Sequence, residues 1–77
     1  MEITLQLKGP LKKYADETEL FRLELDGNEL TVTELLQRFE VPASSVSFVQ
    51  VNGIKIELDH PIKGGDKITV NPRVAGG

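Results

Sequence analysis

The sequence predicts an α+β domain in which one amphipathic helix covers one face of a mixed sheet of four to five strands. Short segments near both ends alternate between apolar and polar residues, which is typical of half-buried strands. One stretch in the middle has apolar residues at helical spacing instead. The order is therefore strand, strand, helix and then further strands, which is an α+β arrangement.

The first half of the predicted sheet is a hairpin. Residues 3–7 alternate Ile, Leu and Leu with polar residues, and Gly9-Pro10 ends this strand because proline cannot donate to a sheet ladder. Residues 11–15 fit a short helical turn. Residues 21–25 repeat the alternation with Phe, Leu and Leu, and Gly27-Asn28 stops the second strand.

The helix has a clear start and a clear stop. Thr31 and Glu34 have the spacing of a capping box, in which each side chain accepts a hydrogen bond from the other residue's backbone N–H. Val41-Pro42 ends the helix, because the residue before a proline avoids the helical region. The pattern predicts a helix over about 32–39, and its apolar stripe consists of Val32, Leu35, Leu36 and Phe39.

The second half of the sheet begins with a strand over about residues 46–51. Asn52-Gly53 follows, and this dipeptide favours a two-residue hairpin turn of type I′. Apolar residues at 54, 56 and 58 continue on the other side of the turn, and Ile62 is expected to fill a loop. Ile68 and Val70 mark a last strand, which Pro72 ends.

Phe48 is a candidate contact residue for a partner protein. If Val49 and Val51 point into the core, Phe48 points outward as a large exposed aromatic side chain, and such residues anchor many interfaces. Two other readings are open. Val46 and Phe48 could be the inward pair, or Phe48 could fill a gap under a loop.

Composition excludes several classes of function. The 77 residues include no cysteine, so a disulfide framework, a cysteine zinc site and a thiol nucleophile are excluded. The net charge is −3, whereas a nucleic-acid-binding domain should carry a dominant basic patch. The acidic charge is concentrated in residues 16–40, which hold eight acidic residues and two arginines. With no apolar run long enough for a membrane span, we expect a cytoplasmic protein that binds neither nucleic acid nor membrane.

Patterns of catalytic or metal-binding residues are lacking. His60 is the single histidine, and no Ser or metal-ligand partner has motif spacing around it. Residues 63–67 contain two glycines between lysines, but they lack the spacing of a phosphate-binding loop and precede a strand rather than a helix. We therefore expect no catalytic residue and no metal site, and hence a protein that is not an enzyme on its own.

The sequence ends Val74-Ala75-Gly76-Gly77, which suggests a C-terminus that is itself a substrate. Two glycines have no Cβ, so such an end can enter a narrow active site with its carboxyl group as the reactive handle. A carboxylate is a poor electrophile, and adenylation by ATP would activate it. We predict a folded domain over 1–72 and a flexible tail over 73–77, which would reach roughly 16 Å if extended. A frayed glycine tail without function is the alternative.

Several segments together resemble one family along essentially the whole chain. They are the helix start at residues 31–36, the hairpin Val51-Asn52-Gly53, the stretch from Pro61 to Ile68, and the ending from Pro72 to Gly77. The combination of the Gly-Asp turn and the Val-Ala-Gly-Gly end is similar to ubiquitin-like sulfur carriers of the MoaD/ThiS type. This resemblance implies a β-grasp fold with the first and last strands parallel and central and with the helix packed across them.

The resemblance also implies an activity. A ubiquitin-activating-type enzyme would adenylate Gly77, and sulfur transfer would then produce a thiocarboxylate that donates its sulfur to a small molecule. Arg73, Val74, Ala75 and Gly76 would thread into the partner's active site. The partners are then the adenylating enzyme and a sulfur-accepting synthase subunit. No cofactor is expected on the chain, because ATP and Mg²⁺ are consumed on the activating partner.

Within the family, the small subunit of molybdopterin synthase is more similar than the thiamine-pathway carrier. The connection over 8–19 is longer than thiamine carriers usually have, and the ending is of the molybdopterin type. Arg73 departs from that type, which often has proline there, and ubiquitin has arginine at the same distance from its end. Three alternatives follow: a carrier for thiamine thiazole or tRNA thiolation, a protein modifier that forms isopeptides through Gly77, and a binding module.

Overall fold

A computed structural model describes residues 1–27 and 29–73. The tail positions 74–77, which include four of the predicted site residues, lie outside the described residues. The described strands, α-helix and two short 3₁₀ helices follow in chain order: β1 Glu2–Leu7, 3₁₀ helix Gly9–Ala15, β2 Leu20–Glu24, β3 Leu30–Thr31, α1 Val32–Arg38, 3₁₀ helix Ala43–Ser45, β4 Val46–Val51, β5 Ile54–Ile56, β6 Pro61–Ile62 and β7 Lys67–Pro72.

Five of the strands form one mixed sheet in the order β2-β1-β7-β4-β5. β1 and β7 pair in parallel at its centre, and the other neighbours pair antiparallel. This topology confirms the predicted β-grasp arrangement. Because β7 lies between β1 and β4, the last strand is held by hydrogen bonds along both of its edges.

The hydrophobic core lies between the sheet and α1. Alternate residues of the central strands are buried there, including Leu5 and Val70, and Leu35 from the helix is fully buried against them. The predicted capping box is present: the Thr31 hydroxyl accepts from the Glu34 N–H at 3.2 Å, and the Thr31 N–H donates to the Glu34 carboxylate at 3.0 Å. Phe39 is the C-terminal cap residue of the helix and is half-buried.

The predicted turn at Asn52-Gly53 is confirmed. Asn52 has φ +53° and Gly53 has φ +85°, and two positive φ values in succession are the requirement of a type I′ turn. Asn52 also joins this turn to the one before β7. Its side-chain amide donates to Asp66 at 2.9 Å, and its side-chain oxygen accepts from the Lys67 N–H at 3.0 Å.

A second, two-stranded ladder differs from the expectation for Ile62. Rather than filling a loop, Ile62 belongs to β6 and pairs with Leu30 of β3, immediately before the helix. The His60 carbonyl extends the contact by accepting from the Val32 N–H at 3.1 Å. The ladder therefore ties the start of α1 to the segment that precedes β7. A pair of two-residue strands is too short to show alternation, and so periodicity does not reveal it.

Candidate functional site at the end of the last strand

The last backbone contact of the described chain lies at the end of β7. The Arg73 N–H donates to the Ser45 carbonyl at 3.0 Å, one residue after the strand ends at Pro72. The Arg73 side chain is exposed. The chain is thus fixed at Arg73 by the 3₁₀ helix Ala43–Ser45. This helix immediately precedes β4, so the contact lies on the β4 side of β7.

On the β1 side, the backbone approaches the same point closely at Gly9. This residue has φ +57°, and a Cβ placed on it would lie 3.3 Å from Cγ of Pro72. The Lys8 N–H donates to the Val70 carbonyl at 3.2 Å and continues the contact between β1 and β7. Gly9 thus satisfies two demands, a left-handed conformation and a tight approach. The exit of the chain from the sheet lies between Gly9 and Ser45.

Phe48 lies near this exit on the face of the sheet opposite the helix. Val49 and Val51 are buried, so the reading with Phe48 outward is confirmed and the reading with Val46 and Phe48 as the inward pair is wrong. Val46 is nevertheless buried, because a bulge between Val46 and Phe48 shifts the alternation of β4. The bulge inserts Ser47 as an extra residue, which single-sequence alternation does not predict.

Although Phe48 points outward, its side chain is half-buried rather than exposed. The Lys55 ammonium lies 5.6 Å from the ring centroid, within the range of a cation–π contact. Phe48 and Lys55 line a surface depression of about 270 Å³, together with Ala43 and Leu58. Leu58 is 38% exposed. This surface combines an aromatic ring, an aliphatic side chain and charges of both signs, from Lys55 and Glu57. It adjoins the 3₁₀ helix that holds Arg73.

The other residues considered for chemistry have structural roles. His60 is half-buried in the turn before β6, where its backbone groups bond to Glu57 and to the start of α1. The Asp66 carboxylate accepts from Asn52 and from the Lys63 N–H at 2.9 Å, so the glycine-containing segment 63–67 is a turn stabilised by its own side chain. In residues 1–27 and 29–73, no cluster of three or more His, Cys, Asp or Glu residues could hold a metal ion. No helix in the same residues is long and apolar enough to cross a membrane.

A comparison with protein-family models assigns this arrangement to a family. The model of the ThiS family matches residues 9–77, which include both sides of the exit and the Gly-Gly end. The chain belongs to the ThiS family. The resemblance to ubiquitin-like MoaD/ThiS sulfur carriers is thereby confirmed at the level of the family. No curated protein sequence matches the chain.

Solved structures with this fold come from proteins with different stated roles. The chain is similar to the thiamine biosynthesis protein ThiS from Geobacter metallireducens, with 26% identity, a TM-score of 0.62 and coverage of 96% of this chain and 99% of that one. It is also similar to a chain in the complex of subunits 1 and 2 of molybdopterin-converting factor from Helicobacter pylori, with 25% identity, a TM-score of 0.64 and full coverage of both chains. Small archaeal modifier protein 1 from Haloferax volcanii has a TM-score of 0.71 at 19% identity, with coverage of 95% and 98%. At that identity the likeness shows the fold alone.

Sequence reasoning identified Arg73 and Phe48 but not the residues that position them. Ser45, Gly9 and Lys55 carry no motif, and each contributes through a backbone contact, an approach distance or a ring contact. Gly9 gave a partial signal, because a glycine before a proline marks a turn. The predicted roles of Val74, Ala75, Gly76 and Gly77 lie outside the described residues.

Proposed function

We propose that this ThiS-family chain carries sulfur on its C-terminal residue for molybdopterin biosynthesis. Gly77 is adenylated by a ubiquitin-activating-type enzyme and then converted to a thiocarboxylate, and the thiocarboxylate donates its sulfur on a partner synthase subunit. The observation that carries the proposal is the family match, which extends through Gly77. The chain itself supplies no catalytic group and binds no cofactor in this scheme, so ATP and Mg²⁺ act on the activating enzyme.

The folded domain supports this role as a rigid base for the tail. β7 is paired on both sides, and Arg73 is bonded to Ser45, so the chain is held up to four residues before the end of the sequence. A base that is fixed as far as Arg73 lowers the entropic cost of placing Gly77 at a reacting phosphate. Because the glycines at 76 and 77 have no Cβ, the tail could pass through a narrow channel.

The chemistry requires two displacement steps and a reductive cleavage. The Gly77 carboxylate attacks the α-phosphorus of ATP, and pyrophosphate leaves, so that an acyl-adenylate forms. A sulfur nucleophile, such as a persulfide on a partner protein, attacks the acyl carbon and displaces AMP. Reductive cleavage of the resulting S–S bond by a thiol leaves the thiocarboxylate on Gly77. The depression around Phe48 and Lys55 is a candidate contact surface for the activating enzyme or the synthase subunit, because the half-buried aromatic side chain that lines it can serve as an anchor.

The test is mass spectrometry of the intact protein after incubation with its activating enzyme, ATP and a sulfur donor. We expect the mass to increase by the difference between one sulfur and one oxygen atom. Chains that lack Gly77 should show no increase, although their circular dichroism should be unchanged. A matched control, Lys63→Ala, alters an exposed residue of the turn before β7 and should load normally. If the native chain gained no sulfur from any cognate activating enzyme, the proposal would fail.

The pathway is tested by supplying the loaded chain to candidate synthases. We expect sulfur transfer to the pterin precursor in the presence of a molybdopterin synthase large subunit. Transfer to a thiazole precursor or to tRNA instead would assign the chain to thiamine synthesis or tRNA thiolation. Sulfur loading of Gly77 is common to the three pathways. The identity of the sulfur acceptor therefore tests the pathway without testing the loading mechanism again.

Protein modification is the second candidate function. It is supported by the exposed Arg73, which lies at the position of an arginine in ubiquitin. In that case Gly77 forms isopeptide bonds with lysines of other proteins. Val-Ala-Gly-Gly remnants on lysines, which trypsin would leave by cleaving after Arg73, would establish this function if proteomics found them in cells with the wild-type chain and not with a Gly77 deletion. A pure sulfur carrier leaves no such remnants.

A further inference from the structure

The turn at Asn52-Gly53 contains the only asparagine of the sequence that a glycine follows. Asn28 precedes a glutamate, and Asn71 precedes a proline. In an unfolded chain, the backbone nitrogen after an asparagine can attack the carbon of its side-chain amide. Glycine has no Cβ and hinders this attack least, whereas the nitrogen of proline has no hydrogen to give up. In the unfolded chain, Asn52 is therefore the most reactive of the three asparagines.

The reaction is a deamidation through a cyclic imide. The Gly53 nitrogen forms a bond to Cγ of Asn52, the Cγ–Nδ2 bond breaks, and ammonia leaves with the proton of the Gly53 N–H. Water then opens the imide at the side-chain carbonyl, which leaves aspartate, or at the main-chain carbonyl, which leaves isoaspartate. No oxidant or reductant is needed, and water reaches the turn because Asn52 and Gly53 are both exposed.

The native conformation of the turn prevents the first step. Asn52 has φ +53°, in the left-handed region, where ψ is about +30 to +60°. At such a ψ the Gly53 nitrogen lies across the Cα–C bond from Cβ, so Cγ cannot reach it. The imide ring closes only after this bond has rotated until the nitrogen and Cβ are on the same side. That rotation takes Asn52 out of the type I′ turn.

Hydrogen bonds oppose this rotation. The Asn52 N–H donates to the Lys67 carbonyl at 2.8 Å, and the side-chain oxygen accepts from the Lys67 N–H at 3.0 Å. Nδ2 donates to the Asp66 carboxylate at 2.9 Å, and that carboxylate also accepts from the Lys63 N–H at 2.9 Å. Movement of the side chain toward Gly53 breaks both of its bonds. The reaction therefore requires that the turn first open.

We propose that Asn52 is a deamidation site that the closed turn protects and an opened turn exposes. Either product weakens the contact between this turn and the start of β7. In the aspartate product, an oxygen replaces Nδ2 and faces the Asp66 carboxylate, so two like charges meet where a hydrogen bond was. Isoaspartate adds a methylene group to the main chain, which a two-residue type I′ turn does not accommodate. This inference does not rest on the chemistry proposed for Gly77.

The test follows deamidation of the full chain at neutral pH, with and without guanidinium chloride. Trypsin places the three asparagines in separate peptides, residues 23–38, 39–55 and 68–73, and mass spectrometry detects the exchange of NH₂ for OH in each. In guanidinium chloride we expect Asn52 to react first. In the folded chain its rate should be lower on the order of thirtyfold, because opening breaks two side-chain hydrogen bonds.

A synthetic peptide of residues 48–56 in plain buffer controls for effects of guanidinium on the chemistry. It should react as fast as the unfolded chain. The proposal is overturned if Asn52 reacts equally fast in the folded chain and in the peptide. It is also overturned if Asn28 or Asn71 reacts faster than Asn52 in guanidinium chloride.

Variants separate opening of the turn from global unfolding. Asp66→Ala removes the acceptor of Nδ2 and should raise the rate at Asn52 in the folded chain by roughly fivefold. Thr31→Ala removes the cap of α1 instead and is the matched control, which should raise the rate less. Equal increases in the two variants would contradict protection by the bonds of Asn52, since global unfolding would then account for the reaction.

The predicted effect of the product is tested with Asn52→Asp. This variant has the aspartate product at position 52, and we expect it to unfold at a lower urea concentration than the wild-type chain at neutral pH. An unchanged midpoint would contradict the repulsion inferred between positions 52 and 66. Sulfur loading of Gly77 is measured separately on the unmodified chain, so failure of one proposal is distinguishable from failure of the other.

Discussion

At the scale of single residues, Asn52 combines a left-handed backbone with three hydrogen bonds. Its backbone is left-handed, its amide N–H donates to the Lys67 carbonyl at 2.8 Å, and its side chain bonds to both Asp66 and Lys67. Asparagine tolerates this conformation better than most residues and supplies both a donor and an acceptor. The Asn-Gly turn and the turn before β7 are therefore stabilised by the same side chain.

Two substitutions at Asn52 separate conformation from hydrogen bonding. Asn52→Gly keeps the left-handed backbone and loses two side-chain bonds, so we expect the free energy of unfolding to fall by about 1–2 kcal/mol. Asn52→Ala loses the same bonds and adds backbone strain that exceeds the extra chain entropy of glycine. It should lower the free energy of unfolding by roughly 0.5–1 kcal/mol more. Urea unfolding measures both values, and an alanine variant more stable than the glycine variant would contradict this account.

The sequence predicts the role of a residue when that role depends on its neighbours in the sequence. It does not predict roles that depend on contacts with residues far away in the sequence. The turn at Asn52 was predictable, because both positive φ values arise within the dipeptide. Gly9 and Ser45 were not, because their partners Pro72 and Arg73 are far away in the sequence. The cation–π contact of Phe48 likewise involves Lys55 from the neighbouring strand.

At the scale of elements, the helix is defined largely by its N-terminal cap. The pKa of Glu34 is lowered from its ordinary value of 4.5, first by the bond from the Thr31 backbone, then by the bond from the Thr31 hydroxyl, and further by the charge of Arg38. A carboxylate with a lowered folded-state pKa stabilises the fold above its unfolded pKa. That contribution is lost as the pH falls through the folded-state pKa.

Glu34→Gln tests this pH dependence, because glutamine keeps the capping-box geometry without the charge. We expect the wild-type chain to be more stable than the variant near neutral pH. The difference should disappear as the pH falls well below 4.5, when Glu34 is protonated in both the folded and the unfolded chain. Urea midpoints measured across this range give the difference directly. A difference that grew on acidification would show that the sign is wrong.

Removal of the cap itself is a separate test. Thr31→Ala leaves the Glu34 N–H without its side-chain acceptor, and we expect the free energy of unfolding to fall by about 1 kcal/mol. Thr33→Ala is a suitable comparison within the same turn, because the Thr33 hydroxyl donates to the Leu58 carbonyl and has no part in the capping box. A smaller loss in helical circular dichroism signal is expected for Thr33→Ala than for Thr31→Ala.

The ladder of β3 and β6 contributes to the stability of the fold because it buries the side chain of Ile62. Ile62 is fully buried, whereas Ile54 on the edge strand β5 is 68% exposed. Ile62→Ala should therefore lower the free energy of unfolding by about 2–5 kcal/mol, and the same change at Ile54 should alter it by about 0.5 kcal/mol or less. Equal effects in chemical denaturation would show that the ladder is not part of the core.

Most of the elements that sequence patterns predicted are long enough to show a period, and the three-residue β5 was predicted from the Asn-Gly turn before it. β1, β4 and α1 have alternating or helical spacing over six or seven residues, and their positions were predicted closely. β3 and β6 have two residues each, so no period exists to detect. The bulge in β4 was missed for a related reason, since one inserted residue shifts the phase of an otherwise regular strand.

At the scale of the whole molecule, the residues that follow the first strand contact the end of the last strand. Gly9 follows β1, Pro72 ends β7, and a Cβ on Gly9 would lie 3.3 Å from the proline ring. Gly9→Ala should lower the free energy of unfolding by about 1–2 kcal/mol from backbone conformation alone. Crowding against Pro72 adds to this loss.

A double-mutant cycle isolates the crowding. In a Pro72→Ala background the Cγ atom is absent, so Gly9→Ala should destabilise the fold less than it does in the wild-type background. The coupling free energy between the two positions should be on the order of 0.5 kcal/mol or more. Strict additivity in urea unfolding would mean that the contact contributes nothing, and that the cost of alanine is entirely conformational.

The parallel pairing of β1 with β7 has a consequence for synthesis in the cell. During translation, the hairpins β1–β2 and β4–β5 are made before β7. Until β7 is made, one edge of β1 and one edge of β4 have no partner strand. The central strand β7 is the last of the described strands in chain order. A chain that lacks Lys67–Pro72 therefore leaves one edge of β1 and one edge of β4 unpaired, and we expect proteases to degrade it faster than the full chain. The strand that completes the centre of the sheet is thus also the strand that precedes Gly77 in the sequence.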